Sequence, residues 1–198
     1  MNPVNLSKNI IRTSPYTIHQ TALLAYIVTK NDIYLYFFLL SLACGEALNM
    51  LLQKIIFRAN LTQASLRPQA CSNDMRGCGV FAENNCSIGS VNNSGLPSRH
   101  VQVAALAATF WSIYLMSDYN AKKASLSTEE ADKLKSDVNM KITILAILVA
   151  VICIERIFIS KCNNFAQVLA GLIIGVVCAF IGYPIISTMT DNLPDLSL

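Results

Sequence analysis

Three stretches of this chain, 33–57, 140–159 and 166–189, are predominantly apolar over about the 20 residues that an α-helix needs to cross a bilayer. A backbone in lipid must satisfy its own N–H and C=O groups, so runs of this kind fold as helices and pack against one another. The expected fold is all-α, a polytopic transmembrane helix bundle forming one domain over 1–198. Composition agrees, because 54% of the residues are hydrophobic and only 14% are charged, where an average soluble domain carries about a quarter.

A fourth run, 98–117, is apolar only from Val101 to Met116 and reaches spanning length if it begins inside the protein at the polar Ser98, Arg99 and His100. A fifth, 16–29, carries His19 and Gln20 and suits either a tilted span or an interfacial helix. The expected count is four to five. Ahead of these, Met1 to Thr17 is polar and has no apolar signal-peptide core, so the first helix is expected to act as its own membrane signal.

Sidedness follows from the basic residues beside the spans. The charged segment 118–139, with Lys122, Lys123, Lys133 and Lys135, is expected to be a cytoplasmic loop. The cysteine-rich loop 58–96 and the turn after 159 then fall on the opposite side. Crossing parity thereby gathers Arg67, Arg99, His100, Arg156 and Asn163, which come from separate helix ends, on one face. The net charge of +3 is scattered, without the dense basic stripe of a nucleic-acid binder. Membrane lipid is the expected partner, with no nucleic acid.

Ionisable groups at membrane depth are costly and mark functional candidates: Glu46, Lys54, Arg99, His100, Glu155 and Arg156. Against function, Lys54 and Arg58 are placed to snorkel from a helix end, and Glu155 beside Arg156 suits a structural ion pair. The stretch Gly95-Leu96-Pro97-Ser98-Arg99-His100 combines a proline and an N-cap serine with a guanidinium and an imidazole. Two readings fit it: an anion site at a helix start, or a capped helix with a solvated histidine.

With the residues that follow it, Gly95-Leu96-Pro97-Ser98-Arg99-His100-Val101-Gln102 resembles the central motif of the type 2 phosphatidic acid phosphatase superfamily, and within it the dolichyl-diphosphate phosphatases. Arg67-Pro68 is similar to the end of the family's first motif, with Lys54 a loose match to its lysine. Glu155-Arg156 through Gln167-Val168-Leu169 is similar to the third motif. The resemblance implies a phosphatase acting on a lipid phosphate or polyprenyl diphosphate without a cofactor or metal. In it His100 is the general acid, Ser98, Arg67, Arg156 and, as the loose match, Lys54 hold the phosphate, and a third-motif histidine is the nucleophile; Arg99 is a phosphate-binding candidate from the helix-start reading.

That histidine is absent. Six residues on from Arg156 stands Cys162, four back from Gln167 stands Asn163, and the segment is one residue longer than the family pattern. An amide forms no phospho-enzyme, whereas a thiolate is a nucleophile when its pKa is lowered. Lys54 also lies thirteen residues before Arg67, where the family has seven. The alternative expectation is a catalytically silent structural or interaction protein, of an endoplasmic-reticulum-type membrane or the inner membrane of a large DNA virus.

The 58–96 loop holds Cys71, Cys78 and Cys86, and Cys162 falls on the same expected face. Their spacing lacks a C-x-x-C pair, which favours disulfides over zinc. Sequons at Asn60, Asn85 and Asn92 are acceptors only if the loop enters a secretory lumen. Cys44, Cys153 and Cys178 read as small packing residues. Gly171 and Gly175 are expected to make a close helix contact inside the bundle rather than at a dimer face.

Overall fold

A computed structural model describes residues 3–53 and 95–190, with side chains from residue 13 onward. Lys54, Arg67, Cys71, Cys78, Cys86 and nearly all of the 58–96 loop lie outside the described residues.

Five helical elements make up the described chain. α1 is Pro3–Thr29, and α2 is the continuous helix Asp32–Leu51, in which Ser41–Ala47 is wound as a π-helix. α3 is Arg99–Lys123, α4 is Thr128–Ile159 with a π-helical last turn Glu155–Ile159, and α5 is Phe165–Met189. Three of them, α2, α4 and α5, are long and apolar enough to cross a membrane.

Helix boundaries differ from the sequence expectation in two places. The charged segment 118–139 is helical except at a short turn after Lys123, because its charges serve the helices on either side. Lys122 pairs with Asp118 at 2.8 Å and Lys141 with Asp137 at 2.6 Å, each one helical turn apart. A capping box formed by Ser127 and Glu130 then starts α4. At the other end of the chain, α1 runs from Pro3 straight through Pro15, well ahead of the expected 16–29 segment.

The core lies between α2, α3 and α5. Phe110 on α3 meets Phe37 of α2 at 5.0 Å and Tyr183 of α5 at 5.4 Å between ring centroids. α3 packs most extensively on α5. A Cβ on Gly171 would lie 2.6 Å from the Ser98 carbonyl oxygen, and one on Gly175 would strike Gln102 O and come within 2.9 Å of Leu106 N. The glycine pair is thus an internal contact that lets two backbones touch, and it lays the start of α3 against α5. α4 lies to one side and leaves Ile144, Ile147, Leu148, Val151 and Ile154 exposed, the apolar face of a helix in lipid.

Candidate functional site

The polar residues gather where three chain segments meet: the entry to α3, the end of α4 and the entry to α5. Ser98 is the N-cap residue of α3, its backbone N–H donating to Gln167 O at 3.0 Å and its carbonyl accepting from Gln102 N at 2.9 Å. Pro97, joined to Leu96 by a cis bond, offers its carbonyl to the side chains of Asn49 on α2 at 3.2 Å and of Gln53 just past its end at 3.0 Å. The motif is therefore fixed to α5 on one side and to α2 on the other.

Arg156 is delivered by the π turn that closes α4. Its carbonyl accepts the N–H of Cys162 at 3.1 Å and of Asn163 at 3.2 Å, while Ser160 N reaches Glu155 O at 2.8 Å across five residues. Lys161 turns the chain in the left-handed region at φ 52°. A common helix ending pairs the N–H just after such a residue with a carbonyl five back; here the bond reaches six back.

The amide of Asn163 is the hub of the site. Its Oδ1 accepts from Arg156 Nε at 2.9 Å and from Ser98 Oγ at 3.2 Å. Its Nδ2 donates to Gly95 O at 3.2 Å and to Gln167 Oε1 at 3.0 Å. Gln167 is held in turn by the capping box it forms with Asn164. Of the two residues competing for the nucleophile position, Asn163 meets Arg156 and Ser98 through its side chain, and Cys162, fully buried, meets Arg156 through its backbone N–H.

Arg156 is only 1% exposed, and Glu155, equally buried, lies within electrostatic range of it. Arg99 is close enough for its charge to be felt at Arg156, yet its Nη1 reaches Glu46 of α2 at 3.3 Å. His100 is buried in the first turn of α3. Ser98, Arg99, His100, Arg156 and Asn163 thus occupy one end of the bundle, with Lys54 and Arg67 outside the described residues. Among the described residues, no three His, Cys, Asp or Glu side chains group closely enough to hold a metal ion.

Two participants, Gln102 and His19, were not singled out as site residues by sequence. Gln102 is fully buried, accepts from Asn49 at 2.7 Å and donates to the Cys44 carbonyl. His19 lies 2.8 Å from Ser41 Oγ and 3.5 Å from Glu46 Oε1. The available signal was a run of polar residues, Ser41, Glu46, Asn49 and Gln53, in an otherwise apolar helix. Only the π stretch brings Ser41 and Glu46 to one side, so an α-helical projection separates them.

No curated protein and no solved structure matches this chain. The sequence profile of the PAP2 superfamily does match it, over residues 33–191. That match takes in α2 to α5, every residue of the Ser98–Arg156–Asn163 cluster and well over half of the 198 residues, and the chain belongs to the PAP2 superfamily.

Proposed function

We propose that this chain is an integral membrane PAP2 protein that does not hydrolyse lipid phosphates, and serves instead as a structural or interaction protein. One observation carries the reading: the Oδ1 of Asn163 accepts hydrogen bonds from both Arg156 and Ser98, and of the two residues the resemblance offers for the nucleophile position, Cys162 and Asn163, we assign it to Asn163. Those two side chains match the family's phosphate-holding residues. Here they hold an amide oxygen where a phosphoryl oxygen would otherwise accept, and an amide has no nucleophilic lone pair with which to attack phosphorus. The site becomes a hydrogen-bonded clasp across three helix ends.

In this reading α3 crosses the membrane with α2, α4 and α5, and the turn after Lys123 faces the cytoplasm. The clasp then lies on the far side. Fully buried Cys162 is on that side too, where we place it in a disulfide framework with Cys71, Cys78 and Cys86 of the long loop.

A second reading is favoured by the burial of His100, two residues after Ser98 in the first turn of α3. A general acid and phosphate ligands kept together suit a lipid-phosphate or polyprenyl-diphosphate phosphatase of the dolichyl-diphosphate type. Phosphate release by purified protein from dolichyl diphosphate, undecaprenyl diphosphate and phosphatidic acid in detergent separates the two. The clasp reading expects none above the His100→Ala background; release that His100→Ala abolishes would establish the enzyme.

A further inference from the structure

Beside the clasp lies a second polar chain that runs into the bundle through α1. Arg99 pairs with Glu46 at 3.3 Å, their side chains 11% and 4% exposed. The other carboxylate oxygen of Glu46 lies 3.5 Å from His19 Nε2, and His19 Nδ1 lies 2.8 Å from Ser41 Oγ, which donates to Phe38 O at 2.9 Å. Tyr16, one turn before His19 on α1, places its ring 5.7 Å from the Arg99 guanidinium carbon.

Helix winding makes this possible. Ser41 and Glu46 are five residues apart, and at about 100° per residue an α-helix would point them about 140° apart. The π stretch Ser41–Ala47 closes its turns with bonds five residues long, which brings one beneath the other on the α1 side. Gly45, between them, leaves room for Val103 and the His19 ring, where a Cβ would lie 2.6 Å from Val103 Cγ2. A buried carboxylate in a membrane helix is costly unless it is paired, and this one is paired by residues from two other helices.

A carboxylate and a phosphate group present the same pair of oxygens to a guanidinium. We infer that Glu46 is an internal, autoinhibitory ligand of Arg99, latched by His19 and Tyr16 of α1, and that it excludes a phosphate-type oxyanion from the mouth of α3. The inference rests on the reading of Arg99 as part of a phosphate-type motif. It adds that the block on Arg99 is supplied partly by α1, which precedes the family-matched residues 33–191.

The test is calorimetric titration of the full chain in detergent. The probes are inorganic phosphate, dihexanoyl phosphatidic acid and, as control, dihexanoyl phosphatidylcholine. Glu46→Gln keeps the shape and removes the charge, and it is expected to bind a phosphate probe about tenfold more tightly than the parent chain. Adding Arg99→Gln is expected to remove the gain. A gain with inorganic phosphate identifies a free oxyanion as ligand, and a gain confined to phosphatidic acid identifies a lipid headgroup.

A folded Glu46→Gln protein that gains nothing with either probe overturns the inference, as does a gain that survives Arg99→Gln. Should Glu46→Gln not fold, Tyr16→Ala removes the ring cover and leaves both charges in place. About a threefold gain is then expected, and its absence overturns the inference equally. Phosphate release is a separate readout, so a failed latch and a failed clasp reading are told apart.

Discussion

Asn163 accepts the Nε–H of Arg156 at 2.9 Å across a turn that holds both side chains almost entirely out of solvent. The amide gives this guanidinium a neutral partner with two donors left over, and those donors tie in Gly95 and Gln167. A histidine at the same place offers no such double donor and acceptor. One amide thereby organises four hydrogen bonds and links the entry to α3, the end of α4 and the entry to α5.

Asn163→Ala takes partners from Ser98, Arg156, Gly95 and Gln167 together. A cost of about 3 kcal/mol is expected, the scale of leaving buried polar groups and one side of a buried charge unsatisfied. Denaturant unfolding in detergent measures it. A loss under about 0.5 kcal/mol, the usual size for a surface substitution, would show that the clasp does not hold the helix ends.

The two glycine contacts of α5 are expected to respond differently. At Gly175 a methyl group meets backbone atoms of α3, which cannot move without separating the helices, so Gly175→Ala is expected to cost about 2 kcal/mol. At Gly182 the obstacle is the Leu40 side chain at 2.6 Å, which can change rotamer. Gly182→Ala is expected to cost less than about 1 kcal/mol. Unfolding midpoints of the two variants in the same detergent decide it, and equal losses would contradict the contrast.

Gln102→Leu keeps the volume and removes an acceptor from Asn49 and a donor from the Cys44 carbonyl. About 2 kcal/mol of destabilisation is expected. Faster amide exchange should appear in the π stretch of α2 but not at the solvent end of α4. Exchange mass spectrometry localises the change.

At that solvent end, Ser127→Ala removes the acceptor for Glu130 N and a donor to the Glu130 carboxylate. The expected loss is about 1 kcal/mol, confined to fraying of the first turn of α4. Amide exchange that quickens as far as Met140 would show a larger role for the cap.

The apolar runs made the helices legible, because bilayer length and uniform hydropathy leave few alternatives. The inward contact of Gly171 and Gly175 was legible too, from spacing and small size. The helical ends of 118–139 were not: a dense mixture of Lys, Asp and Glu reads as a loop until one-turn ion pairs and a capping box are seen to organise it. Within the site, Ser98, Arg156 and Asn163 stood out through motif order. Their mutual bonds did not, because counting on from Arg156 leads to Cys162 and counting back from Gln167 leads to Asn163. His19 escaped notice because its partners share a face only in a π register that composition does not announce.

The widened ending of α4 acts as a phase shifter. Arg156 stands inside the π turn and Asn163 beyond the Lys161 turn, so each residue between them sets their relative direction, by roughly the 100° that one residue contributes to an α-helix. Deleting one residue between Ile157 and Lys161 would return the ending to ordinary register and rotate either Arg156 or Asn163 out of the clasp. Length in this short segment is thus as much a determinant of the site as the identity of its side chains, and a chain that had kept every residue but lost that one position would no longer close it.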